Sequence, residues 1–338
     1  MREKILYQSF YYLNKMLNKK QKRFALGLLV LMFIGMTAEI LLLNNLMILL
    51  NYLTNTSLDT PKIVEYFSQF FKETKTIILV LLLFIITFLV KTNMNILVKW
   101  KESKFLYSLK AEVSEHLFIG YLKLPFIFHQ RTNSAKILKN ITLEIEQFAI
   151  FVYSISKLLL EFIVLTGISL YLMYINFFIS LSCILSFILF GYLFNYFNKG
   201  KIKEMGTNRL IHQDKRMQSL TEGIGSIRET ILSSKNENIV NSFILHNNSI
   251  SKIAISMSLR NAFSKPAFEI FMLILLSFFI FYFISINALQ ASLIPIIGIY
   301  LAAAYRLVPS IAIIVQSIQE IQFNIKSVKN LYNDVSKF

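Results

Sequence analysis

Six long apolar runs punctuate this chain, at about Phe24–Leu50, Thr76–Trp100, Ala149–Ile175, Phe177–Phe197, Ala267–Ile286 and Ala288–Ser310. Each approaches or exceeds the roughly 20 residues that a helix needs to cross a bilayer core of about 30 Å. The pattern predicts an all-α, polytopic membrane protein with six transmembrane helices and both ends on one side. The first run holds Glu39, Asn44 and Asn45, and no small-residue cleavage site follows it. It therefore reads as a retained span rather than a cleaved leader.

Helical periodicity continues past the apolar limits. No proline occurs between Pro125 and Pro266, and Ser134 to Ile175 reads as one helix of about 63 Å, twice the hydrocarbon thickness. The same extension is predicted for Phe177 to about Met217, for Ser226 to Ile286, and for the stretch after Pro309 to Val335. Such helices would project about 30 Å beyond the membrane, which implies a partner docked beneath it. Two breaks are predicted at the far tips. One is Lys123–Arg131, containing Pro125, after which Thr132-Asn-Ser134 can cap the next helix. The other is Ser219–Gly225, where Gly223 and Gly225 interrupt a polar helix. Each break would expose a short apolar or aromatic knob.

Charge gives the pattern its direction. The chain carries 35 Lys and Arg against 19 Asp and Glu, for a net charge of +16. Lys62, Lys72 and Lys75 fall in the first outer segment, and Lys91, Lys157 and Arg306 sit inside apolar runs. The rest lie at or beyond the ends of the runs, in the N-terminal arm, two long internal segments and the tail. Positive charge is retained on the cytoplasmic side, so this sorting predicts cytoplasmic termini. It also explains the basic balance without nucleic acid as a partner. Residues 1–23 form an aromatic and basic arm that reads either as an interfacial helix or as a solvated tail, and residues 24–335 form the transmembrane domain. Cys183 stands alone, which excludes a disulfide framework and cysteine-rich metal sites. His116, His129, His212 and His246 have no metal-ligand spacing, and a surface role is expected of each. No nucleophile–base constellation occurs.

Charges within spans are costly and usually face a cavity or a partner. Arg306 lies deep in the last run, one turn before Pro309. Its guanidinium matches phosphate geometry, so it is a candidate anion site on a substrate pathway with Glu39 and Glu161. The competing reading is an internal salt bridge to Glu39 or Glu161. Lys157 and Glu161, spaced i, i+4, are expected to neutralise each other, and Lys157 and Lys91 to snorkel towards the interface. Asn44 and Asn45 suit either a wet cavity or hydrogen bonds to a neighbouring helix.

Together these motifs resemble, over essentially the whole chain, the transmembrane domain of an ABC exporter of the six-helix, long-stalk type. Leu124-Pro-Phe-Ile-Phe-His129 is similar to that family's first coupling helix, and Glu222-Gly-Ile-Gly-Ser-Ile-Arg-Glu229 to its second. The stretch from Ser234 to Phe243 resembles the Gly-Arg-Glu…Phe region, with Ser234-Lys235 in place of Gly-Arg. Ala302-Ala-Ala-Tyr-Arg-Leu-Val-Pro-Ser310 is similar to the sixth helix of flippases for lipid-linked oligosaccharides and of related peptide exporters.

The resemblance implies an inner (cytoplasmic) membrane location and a homodimer or heterodimer of transmembrane domains with helices four and five swapped. It also implies a nucleotide-binding domain contacted through Leu124, Pro125, Phe126, Phe128, His129, Glu222, Gly223 and Gly225. No Gly-x-x-x-x-Gly-Lys-Ser/Thr loop occurs, so the chain is expected to hold no cofactor and no catalytic residue. ATP and Mg would be handled by a partner domain, supplied separately or lost by truncation. The expected cargo is a lipid-linked oligosaccharide or another lipid or amphipathic molecule. A peptide exporter, a hydrophobic-drug exporter and a relic scaffold that no longer transports remain as alternatives. A secondary carrier, with short inner loops, fits less well.

Overall fold

The computed structural model describes residues 17–53, 73–225, 227–232, 236–285 and 293–336. Nearly all of the N-terminal arm, most of the first outer segment and the loop around Asn287 lie outside the described residues. Among the described residues there is no strand. The elements are α1 (Lys19–Leu53), α2 (Glu73–Lys123), α3 (Phe126–Arg131), α4 (Ser134–Lys139), a π-helical turn (Asn140–Glu144), α5 (Ile145–Ile175), α6 (Phe177–Gly225), α7 (Ile227–Leu232), α8 (Asn236–Ser285) and α9 (Leu293–Val335). Six of these rods are long and apolar enough to cross a membrane, and the chain is a multi-pass membrane protein.

Apart from α1, which is apolar over most of its length, each long helix has two halves of different character. In the apolar half of α2, Ile85, Phe88 and Leu89 are exposed, as are Ile188 and Leu189 in α6. In water such surface would cost about 25 cal/mol per Å², but acyl chains accept it. Beyond Trp100 the pattern changes. Phe105, Leu109, Val113, Leu117 and Tyr121 recur every fourth residue and are all buried, the single stripe of an amphipathic helix. They meet Phe148, Phe151, Val152 and Ile155 of α5 and Ile321, Val328 and Leu331 of α9 in the largest apolar core. This core runs on into the apolar halves, where it takes in Leu28 and Met32 of α1 and Ile163 of α5.

α5 and α9 share the most extensive contact, α1 pairs with α2, and α6 pairs with α8. The α6–α8 pair joins the bundle chiefly through α4, α5 and α9. One close approach sets the α6–α9 spacing. A Cβ on Gly206 would collide with the backbone carbonyl of Phe323, so only glycine lets the two backbones meet there.

The segment Ser134–Ile175 is continuous as expected, but the π-helical turn interrupts its regular winding. Asn133 caps its start, its side chain accepting from the Ala135 amide at 2.9 Å. α6 extends further than expected. It runs through Gly223 and ends at Gly225, because Gly223 packs on Ile239 of α8 and the helix is held there. Pro266 and Pro309 lie inside α8 and α9 without ending them.

Candidate functional site

Four charged side chains from four helices meet inside the apolar region. Glu39 of α1 is almost wholly buried. Arg306 of α9 donates to it from Nε at 2.5 Å and from Nη2 at 3.4 Å. Lys91 of α2 approaches the same carboxylate at 2.9 Å. Arg306 also lies 3.4 Å from Glu161 of α5 and donates to the Ser310 hydroxyl at 2.9 Å. Two anions and two cations make a neutral quartet, the form in which buried charge is tolerated. The guanidinium fork suits this role because it serves two carboxylates and a hydroxyl at once.

The three residues expected on a substrate pathway, Arg306, Glu39 and Glu161, are therefore brought together by direct ion pairing. Two expectations about their neighbours are corrected. Lys157 does not neutralise Glu161: it stands 4.5 Å over the Tyr153 ring, while Glu161 turns to Arg306. Lys91 does not snorkel but ends on Glu39. Asn44 and Asn45 bond across helices, Asn44 accepting from the Tyr171 hydroxyl at 3.2 Å and Asn45 donating to Thr87 at 3.3 Å.

Beside the quartet, α5, α6 and α9 line a half-open cavity of about 700 Å³. Its wall is mainly apolar, with Phe162, Leu165, Ile188, Leu307 and Ile311 among its members, and does not include Arg306, Glu39 or Glu161. Asn195 and Gln322 also line it. Both are buried, and each has a side-chain carbonyl oxygen without a hydrogen-bond partner. Buried acceptors left unpaired are costly, and these two residues belong to the polar part of the wall. Lys199 adds a cation. Asn195 and Gln322 were not singled out from the sequence, since nothing in their local pattern separates them from other polar helix residues.

At the polar end, α3 divides the first predicted coupling segment. Phe126 is 74% exposed and Ile127 is exposed too. Leu124 and Phe128 pack against the core, Phe128 stacking on Tyr121 with ring centroids 6.3 Å apart. His129 Nε2 lies 3.1 Å from the Tyr121 carbonyl. Pro125 precedes the first turn of α3, where its missing N–H is harmless. The Tyr121 hydroxyl donates to Asp334 at 3.1 Å, and Asn140, turned inward by the π-helical turn, donates to Asp334 at 2.8 Å. Burial, ahead of the Asp334 charge, pushes the Tyr121 phenol up to about 12, so it remains a donor. In the second segment, Glu222 accepts from Gln218 at 2.7 Å, and Ile224 and Ile227 are exposed around Gly225. α2 and α6 both run towards this end, so the two tips share it.

A bolt lies between tips and cavity. Arg209 of α6, buried, donates to Gln147 of α5, to Asn324 at 3.1 Å and to Ser327 at 2.8 Å, the last two on α9, and stacks 4.7 Å over Phe323. The histidines also depart from expectation. His212 and His246 face each other with Nδ1 atoms 3.0 Å apart, and His246 is buried rather than a surface residue. They lie on separate helices, so sequence spacing carried no sign of the pair. Among the described residues no group of three or more His, Cys, Asp or Glu could hold a metal ion.

No protein-family model matches this chain, and no curated protein matches it.

Proposed function

We propose that this chain is the transmembrane subunit of an ATP-driven ABC-type exporter or flippase, working in a dimer, with ATP hydrolysis supplied by a separate nucleotide-binding domain. The observation that carries the reading is the shared end of α2 and α6. Five of the six membrane-length helices extend into longer polar halves, and there α3 presents Phe126 with Ile127 while the end of α6 and the start of α7 present Ile224 with Ile227. Exposed apolar tips on an otherwise polar end fit docking clefts on a cytoplasmic motor.

Closure of the motor would move the tips. The Tyr121–Asn140–Asp334 junction and the Arg209 bolt would pass that movement to α5, α6 and α9, the helices around the cavity. Alternating access then depends on the cargo binding the two states unequally. The cavity favours an amphipathic cargo: its apolar wall suits acyl or other hydrophobic groups, and Asn195, Gln322 and Lys199 suit a polar or anionic head. A lipid-linked saccharide meets that description, and a hydrophobic peptide is the second candidate. Arg306, occupied by two carboxylates, acts here as the tie holding α1, α5 and α9 rather than as the anion receptor. Inner-membrane location and cytoplasmic termini belong to the same proposal.

The test is reconstitution. The purified chain should hydrolyse no ATP above background, and adding a matched nucleotide-binding subunit should give activity that the cargo stimulates. Hydrolysis by the chain alone overturns the reading, as does a complex whose ATPase no lipid or peptide cargo alters.

A further inference from the structure

Where the apolar run of α2 ends, lysines and aromatic rings interleave in space. Tyr153 of α5 has Lys99 on its hydroxyl at 2.9 Å and Lys157 over its ring at 4.5 Å. On the other side, Lys101 and Lys104 stand 4.9 and 5.8 Å from the Trp100 ring. Trp100 is exposed. Trp and Tyr at the ends of apolar runs settle at the headgroup level of a bilayer, which fixes the depth of these cations.

Neither Lys99 nor Lys157 makes an ion pair among the described residues. The acids whose field reaches Lys99 are Glu102 and, more weakly, Glu161. Glu102 is buried, and Glu161 is engaged by Arg306. Because the Tyr153 hydroxyl oxygen accepts from Lys99, its own proton is free to be donated outward. Two ammonium groups and a phenol thus gather their unused donors around one ring. The start of α1 adds exposed Lys19, Lys20, Lys22 and Arg23 to the surrounding field.

We propose that Lys99, Lys157 and Tyr153 form a binding site for the phosphate of an anionic phospholipid headgroup. The lipid would tie α2 to α5 at the membrane boundary, with Trp100 lying against its glycerol region. Clusters of four to eight cations beside a span attract anionic lipid, and here three donors turn that general attraction into a place. The site is separate from the cavity and does not depend on the transport reading.

The experiment uses the full chain in neutral detergent, with binding read by native mass spectrometry. Probes are dioctanoyl phosphatidylglycerol, dioctanoyl phosphatidylcholine and inorganic phosphate. Phosphatidylglycerol should bind more tightly than phosphatidylcholine, and added salt should weaken it. Lys99→Gln and Lys157→Gln should each weaken it roughly five-fold, and the pair about 25-fold. Tyr153→Phe should cost less, and Lys104→Gln, beyond Trp100, should leave the tight binding in place. Equal binding of the two lipids, an unchanged double variant, or inorganic phosphate displacing the lipid at equal concentration overturns the proposal, the last by making it a free-anion site. If the double variant fails to fold, the wild-type chain still decides: affinity for phosphatidylglycerol that is insensitive to salt defeats it.

Discussion

Replacing Arg306 with leucine should unbalance the quartet and loosen the bundle. Glu39 would keep Lys91 at 2.9 Å, but Glu161, whose side chain is only 10% exposed, would be left with no cation. Removing one partner of a buried ion pair costs about 3–5 kcal/mol, and that is the expected loss. The double variant Arg306→Leu with Glu161→Gln restores neutrality, leaving Glu39 with Lys91. It should recover about 2 kcal/mol of the loss, within the coupling range for contacting residues. Arg306→Lys keeps the charge but not the fork and should fall between wild type and leucine. Unfolding by SDS titration in mixed micelles, followed by circular dichroism and by the fluorescence of the only tryptophan, Trp100, measures all three. Losses that simply add in the double variant would refute the charge-balance argument. If Arg306→Leu unfolds like wild type, its pairing contributes nothing to stability.

Gly206→Ala should separate α6 from α9, because the new Cβ meets the Phe323 carbonyl; a loss of about 1–3 kcal/mol is expected in the same titration. Phe126→Asp should leave stability within about 0.5 kcal/mol, as exposed substitutions do, yet abolish stimulation of the ATPase by the chain; an unaltered rate in the complex counts against the tip as a docking element. Burial, with His212 and Lys215 alongside, holds His246 below its usual 6.5. A base depressed in the fold contributes stability that is full above pH 6.5 and declines as pH falls through the lower folded value. Melting followed from about pH 8 to about pH 5 should therefore show an acid-side loss that His246→Asn removes.

The sequence carried the six spans because a run of twenty apolar residues has few other uses, and it carried the Asn133 cap and the Pro125 turn because those side chains act on their own backbone. What it could not carry were choices made between helices. Lys157 and Glu161 are well spaced to pair, yet Glu161 turns to Arg306 once α5 and α9 assemble, leaving Lys157 over Tyr153 of its own helix. Gly223 looks like a break until Ile239 packs against it. The same is true of the histidine pair and of Arg209, whose partners stand on other helices. The π-helical turn has no compositional mark either, and its effect appears only where Asn140 meets Asp334. For the quartet itself, both readings of Arg306 were visible in the sequence, and the structure pairs it with Glu39 and Glu161.

The order in which the quartet's members emerge has a consequence for synthesis. In chain order the charges alternate: Glu39, Lys91, Glu161, Arg306. The first helical hairpin to enter the bilayer therefore carries a matched anion and cation and need not wait for later helices. Glu161 then arrives unmatched, and its cation comes only with the last helix, 267 residues after Glu39 in the contact that closes the set. Counted over the quartet alone, charge is thus balanced after the second span, short of one cation from the third to the fifth, and balanced again at the sixth, with Lys157 the one basic neighbour that enters the bilayer beside Glu161. The quartet's charges are matched only when the sixth span is in place.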